Sequence, residues 1–182
     1  MAELAQGYVS HRGCDHIFFI GFLGAGKTTL AKNLGRMFKR PYVDTDRMAE
    51  RICRASIAQV FETQGEAAFR RAETQALERL RHKKSLLVSC GGGIVESPEN
   101  IQLMRAMGSI VFLEGDLEDS LKQIKHYKAR PDFKSAAQAQ ALFDHRYPLY
   151  RQAADITIPI SGRSFKEVSE LAGAILWEKG LL

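Results

Sequence analysis

Scarcity narrows the class of this chain before any motif is read. It has three cysteines, Cys14, Cys53 and Cys90, an odd number at wide spacing with no C-x-x-C pair. That excludes a disulfide framework and a cysteine-based zinc site, and it fits a reducing compartment. No run approaches the roughly 18 uninterrupted apolar residues that span a membrane. The opening residues, MAELAQGYVSHRGCDH, hold no basic stretch followed by an apolar one. No secretory signal is read there, and cytoplasm is the expected compartment. There is no internal repeat, no low-complexity tract and no interdomain linker.

What remains is a chain of 182 residues, 45% hydrophobic and 26% charged. Those values belong to a single globular domain with a sizeable core. Residues 1–15 read as a loose extension and 16–182 as the domain. The net charge of +5 is concentrated. Between Leu121 and Arg151 stand Lys122, Lys125, Lys128, Arg130, Lys134, Arg146 and Arg151, opposed only by Asp132 and Asp144. So local a charge suits an anionic small molecule better than nucleic acid, which draws charge along a stripe. A solvated basic helix face explains the same run.

Short apolar runs alternate with longer segments of helical period. Strands are expected at Ile17–Ile20, Tyr42–Asp44, Leu86–Ser89, Ser109–Leu113 and Ile156–Ile158. Continuous apolar strands imply burial on both faces, as in a parallel sheet. Helices are expected over Lys27–Phe38 and Glu66–His82, and from Ser97-Pro98, with Ser as cap and Pro at the first position. Capping boxes stand at Ser56…Gln59 and Ser164…Glu167, the second opening a helix to about Glu178. Alternation of this kind is an α/β fold. Trp177 on the last helix reads as core packing, Cys90 as a small buried residue at a strand end, and His126 and His145 as surface histidines.

The strongest local signal is Gly21-Phe-Leu-Gly-Ala-Gly-Lys27-Thr28, which fits G-x-x-x-x-G-K-[ST]. It follows an apolar strand and opens a helix, as a phosphate loop must. Its glycines turn backbone N–H groups onto phosphate oxygens, aided by the helix dipole. Lys27 is expected to reach the β- and γ-phosphates and Thr28 to ligate Mg²⁺. The guanine-reading N-K-x-D is absent, and the chain is short for most helicases and motors. A small-molecule kinase remains, which needs an acceptor site and a lid.

Asp44-Thr45-Asp46 follows the second strand. Side chains two apart on an extended segment share a face, so one carboxylate can lie near a metal and the other near a substrate hydroxyl. A helix cap with an acid in its first turn would look the same. Arg70 can grip a carboxylate bidentately, or simply pair with Glu66 along a helix; Glu73 can orient one of the two arginines, Arg70 or Arg71. Gly91, Gly92 and Gly93 end the third strand where parallel sheets bind ligands, and admit close approach to backbone. A flexible loop is the plainer reading.

Taken in order, these motifs resemble the shikimate kinase family. The matching features are GFLGAGKTT, the D-T-D pair, Phe61…Gly65-Glu66…Phe69-Arg70…Glu73, the G-G-G turn, Arg130-Pro131, and Arg146-Tyr-Pro-Leu-Tyr-Arg-Gln-Ala-Ala154. The resemblance implies a three-layer αβα fold with a five-stranded parallel sheet, like the nucleoside-monophosphate kinases, with a lid at about 122–137. It implies phosphorylation of the shikimate 3-hydroxyl by ATP with Mg²⁺, in a monomer. Gly24, Ala25, Gly26, Lys27, Thr28, Thr29 and Arg130 would bind nucleotide. Asp46, Arg70, Gly91, Gly92, Gly93 and Arg146 would bind shikimate, the two arginines meeting its carboxylate. Thr28 and Asp44 would hold the metal; Lys27, Asp46 and Arg130 would be catalytic. The lid departs from the family: Asp132-Phe133 stands where members read Leu-Leu, and Gln123 where many carry arginine. A kinase of another carboxylated polyol, or a weakly active nucleotide-binding regulator, also fits these residues.

Overall fold

A computed structural model describes residues 15–123 and 135–182. The expected extension, Asp15 excepted, and the centre of the expected lid, with Arg130 and His126, lie outside the described residues. The strands are β1 (His16–Ile20), β2 (Tyr42–Asp44), β3 (Leu87–Ser89), β4 (Gly108–Glu114) and β5 (Ile156–Pro159). The helices are α1 (Lys27–Phe38), α2 (Thr45–Cys53), α3 (Ile57–Thr63), α4 (Glu66–Glu78), α5 (Pro98–Met107), α6 (Leu117–Gln123), α7 (Ala136–Ala153) and α8 (Phe165–Glu178). All five strands run parallel in the order β2-β3-β1-β4-β5.

β1 is buried along its whole length, and its residues part by period two. Phe18 and Ile20 face Leu77, Met104 and Tyr150 in one core. Ile17 and Phe19 face Leu30, Leu34, Ala172 and Leu176 in the other. The molecule is thus three layers deep, with α1 and α8 on one side of the sheet and α4, α5 and α7 on the other. A smaller cluster of Ala49, Val60, Phe69 and Ala72 binds α2, α3 and α4 into one unit.

Both capping boxes form as expected and set the starts of α3 and α8. Ser97 caps α5 with Pro98 in its first turn. The long helix from Glu66 stops at Glu78 rather than His82, because Leu80, Arg81 and Lys83 donate to carbonyls three residues back and tighten the chain toward β3. The Asp44–Asp46 segment is not extended throughout. Asp44 is the N-cap of α2, accepting from Arg47 N, and Asp46 lies in the helix's first turn. Trp177 is not core: it is 65% exposed and stacks on Phe38 with ring centroids 6.1 Å apart.

Candidate active site

All five strands deliver their C-terminal ends to one edge, and the phosphate loop leaves the central one there. Gly24 and Gly26 take φ of 81° and 83°, left-handed values that turn the loop over the start of α1. A Cβ on Gly26 would fall 2.6 Å from the ring of Phe165, so any side chain there would also have to displace that ring. Lys27 is buried, and its Nζ donates to Gly21 O at 2.8 Å and Phe22 O at 2.9 Å. Burial pushes its ammonium down to about 8, against the pull of the Asp46 and Asp44 carboxylates.

Beside Lys27, Thr28 Oγ1 donates to Asp44 Oδ2 at 2.9 Å. The hydroxyl has one hydrogen, so the 2.9 Å contact with Ser89 Oγ is a bond that Ser89 donates. Two hydroxyls and a carboxylate therefore meet at one point. These are hard oxygen donors, the set Mg²⁺ prefers alongside phosphate oxygens and water. Among the described residues no cluster of three His, Cys, Asp or Glu side chains competes for a metal. Ser89 belongs to this group although its sequence signal, one serine at a strand end, was too weak to single out.

Lys27, Thr28, Thr29, Asp44, Asp46 and Gly92 open onto one cavity of about 270 Å³. Asp46 thus faces the phosphate loop from the first turn of α2. A second cavity of about 200 Å³ adjoins it, lined by Ala25, Asp119, Gly162, Arg163 and Val168; Gly24, Gln123 and Phe165 belong to both.

The three glycines expected to face the acceptor follow β3 at this same edge. A Cβ on Gly91 would collide with Asp46 Oδ1, and one on Gly93 with the Arg70 guanidinium. A Cβ on Gly92 would lie 3.4 Å from Arg146 Nη1. What approaches this backbone so closely is therefore the protein's own charged side chains. Gly91 N donates to Thr45 Oγ1 at 2.9 Å, and Tyr150 Oη donates to Gly92 O at 2.5 Å, fixing the turn from both sides.

Arg70 pairs with Glu66 as the plain reading of α4 expects, at 2.8 Å, yet it also meets Glu73 at 2.7 Å and Glu96 at 3.3 Å. Glu96 ends a 3₁₀ turn (Ile94–Glu96) and accepts from Arg146 Nε at 2.6 Å. Two arginines from different helices are thereby joined by one carboxylate. Arg146 is only 3% exposed, on α7 two residues before an in-helix Pro148. Glu73, itself buried, is pushed up to about 7 by desolvation while the Arg70 charge pulls it down. Three surrounding carboxylates hold Arg70 protonated well above its ordinary range, overcoming its own desolvation.

A phosphate loop, a corner of hard oxygen donors beside it and an acid facing both make this a P-loop phosphotransferase. The shikimate kinase family model matches residues 23–175, and the chain belongs to the shikimate kinase family. It is 37% identical over 158 residues to the shikimate kinase of Dehalococcoides mccartyi, covering 86% of this chain and 90% of that one. With shikimate kinase 1 of Hamiltonella defensa it shares 35% over 159 residues, 85% of this chain and 92% of the other. The structure of Acinetobacter baumannii shikimate kinase in complex with shikimate superposes with a TM-score of 0.80 at 33% identity, covering 88% and 90% of the two chains.

Proposed function

We propose that this chain transfers the γ-phosphoryl group of ATP to the 3-hydroxyl of shikimate, yielding shikimate 3-phosphate and ADP. One observation carries the reading. Asp46 and Lys27 share a cavity whose glycine edge backs directly onto Arg146 and, one residue on, Arg70. Phosphate, hydroxyl and carboxylate can thus be held at once by groups the fold already brings together. Phosphoryl transfer needs such positioning and charge neutralisation more than covalent chemistry.

ATP is the co-substrate of the family, and the phosphate loop from Gly24 to Thr29 receives its phosphates. Lys27 exchanges its bonds to Gly21 O and Phe22 O for phosphate oxygens. Thr28 and Asp44, with Ser89 beside them, would hold Mg²⁺, whose charge offsets that of the phosphates. Asp46 orients the attacking hydroxyl and accepts its proton. Arg70 and Arg146 grip the acceptor's carboxylate, and Gly91–Gly93 floor the site. The adjoining cavity at Ala25, Gly162 and Arg163 takes the nucleoside. Arg130, outside the described residues, keeps the assignment of reaching the phosphates from a lid at about 122–137. A single chain, with 16–182 as its one domain, suffices for all of these contacts.

The test is a coupled ADP-release assay with Mg·ATP, with and without shikimate. Release is expected to depend on shikimate. Asp46→Asn should lower kcat by roughly 10²–10⁴-fold, the usual worth of a general base. Arg70→Ala should act chiefly on KM for shikimate. ADP release indifferent to shikimate would refute the reading.

A further inference from the structure

The acceptor side holds more negative charge than its task requires. Arg70 spends four of its five N–H groups on carboxylates: Nε and one Nη2–H on Glu66, the other Nη2–H on Glu96, and one Nη1–H on Glu73. Arg146 gives its Nε–H to Glu96. Around two guanidinium groups therefore stand Glu66, Glu96 and, across Gly91, Asp46, with buried Glu73 behind them pushed toward its protonated form by desolvation. A further carboxylate brought into this group meets repulsion. Exchanging one carboxylate for another leaves the charge unchanged.

The candidates for exchange are unequal. Glu73 is 1% exposed and has no route to solvent. Glu66 has a side chain 57% exposed and, among the described residues, pairs only with Arg70. Among the described residues only Glu96 bonds both arginines, with one oxygen on each. Its side chain is 23% exposed, so rotation toward solvent is open to it. It also follows the glycine turn by three residues, at the floor of the acceptor site.

We propose that Glu96 is a built-in competitor: its carboxylate, bonded to both Arg70 and Arg146, occupies the place that the acceptor's carboxylate takes on binding. This rests on the reading of the site as one for a carboxylated acceptor. Glu96 then determines specificity. Shikimate displaces it because hydroxyl contacts at Asp46 and the glycine turn add to the carboxylate's own. A small monocarboxylate brings only the carboxylate and gains nothing by the exchange. The arginine pair is thereby kept charged and paired while closed to stray anions.

Steady-state kinetics of Glu96→Gln tests this, with acetate as the probe of free carboxylate. The KM for shikimate is expected to fall at least three-fold while that for ATP stays put. Acetate should inhibit competitively with shikimate at concentrations at least three-fold lower than in the unaltered enzyme. A KM for shikimate that is unchanged or raised would overturn the proposal and make Glu96 a prop for the arginines. A second measurement needs no variant: in a crystal structure of the unaltered protein with shikimate, Glu96 should be out of hydrogen-bond reach of Arg146 Nε, with the acceptor's carboxylate in its place. Glu96 still bridging both arginines would equally refute it. Failure of the functional reading is separate, since it shows as ADP release independent of shikimate in the unaltered enzyme.

Discussion

Glu73 sets two electrostatic effects against each other at a single carboxyl. Desolvation favours the neutral form; the Arg70 guanidinium at 2.7 Å favours the ion. Burial wins, and the group is raised from 4.5 to about 7. The folded state thus holds a proton that the unfolded chain has released. Glu73 contributes stability that is present below 4.5 and is lost as pH rises through about 7. A glutamine there cannot titrate. The melting temperature of Glu73→Gln, taken relative to the unaltered protein, should therefore improve steadily from pH 5 to pH 8. A gap that stays flat, or widens in favour of glutamate, would mean that Arg70 keeps Glu73 ionised throughout.

Among the elements, the glycine turn makes the sharpest demand on sequence. Gly93 has φ of −91°, which any residue tolerates, so its constraint is purely steric. A Cβ there overlaps the Arg70 guanidinium, whose place is already fixed by Glu66, Glu73 and Glu96. Gly93→Ala should raise the KM for shikimate about ten-fold, the low end of what overpacking costs. Gly92→Ala, whose Cβ would stand 3.4 Å from Arg146 Nη1, should do less. Equal KM values for Gly93→Ala and the unaltered enzyme would refute the steric account.

The same scale shows what the sequence made legible. The central strands β1, β3 and β4 read as apolar runs because a parallel sheet covered on both faces leaves no room for polar alternation, whereas the edge strands β2 and β5 are short and partly exposed. Capping boxes at Ser56 and Ser164 announced α3 and α8 because the cap is a local bond between residues three apart. Of the two readings of Asp44 and Asp46, the helix cap with an acid in its first turn is the one the structure has, and both side chains still line one cavity. Glu96 was not legible. Its partners lie 26 and 50 residues away, and only the fold brings them together. Trp177 misled because an aromatic residue on an apolar helix reads as core, whereas this one stacks over Phe38 at the surface.

At the scale of the whole molecule, the two ends of the sheet have separate duties. The C-terminal edge carries the site, crowded with unlike charges and open to ligands. The N-terminal edge gathers segments that lie far apart in the sequence. Arg40, between α1 and β2, does much of that: its guanidinium donates to Ser85 O at 3.0 Å, Asp15 O at 2.7 Å and Leu181 O. One side chain thus ties the entry to β1, the turn before β3 and the last residues of the chain. His16 closes the same region, with Nε2 on Leu80 O at 3.1 Å and Nδ1 accepting from Leu86 N at 3.1 Å. Bonds from a charged donor to carbonyls contribute about 1.5–3 kcal/mol each when buried. Those of Arg40 are partly exposed, so about 2 kcal/mol for the set is the fitting scale. Arg40→Ala should then lower the melting temperature by roughly 4–8 °C in a domain of this size. Because Arg40 lies at the opposite end of the strands from Lys27 and Asp46, the KM for shikimate below the transition should not move. Thermal melts and kinetics on the same preparation decide it. An unchanged melting temperature would remove Arg40 from the stabilising set, and a KM that shifts with stability would show that the two edges are coupled through β1.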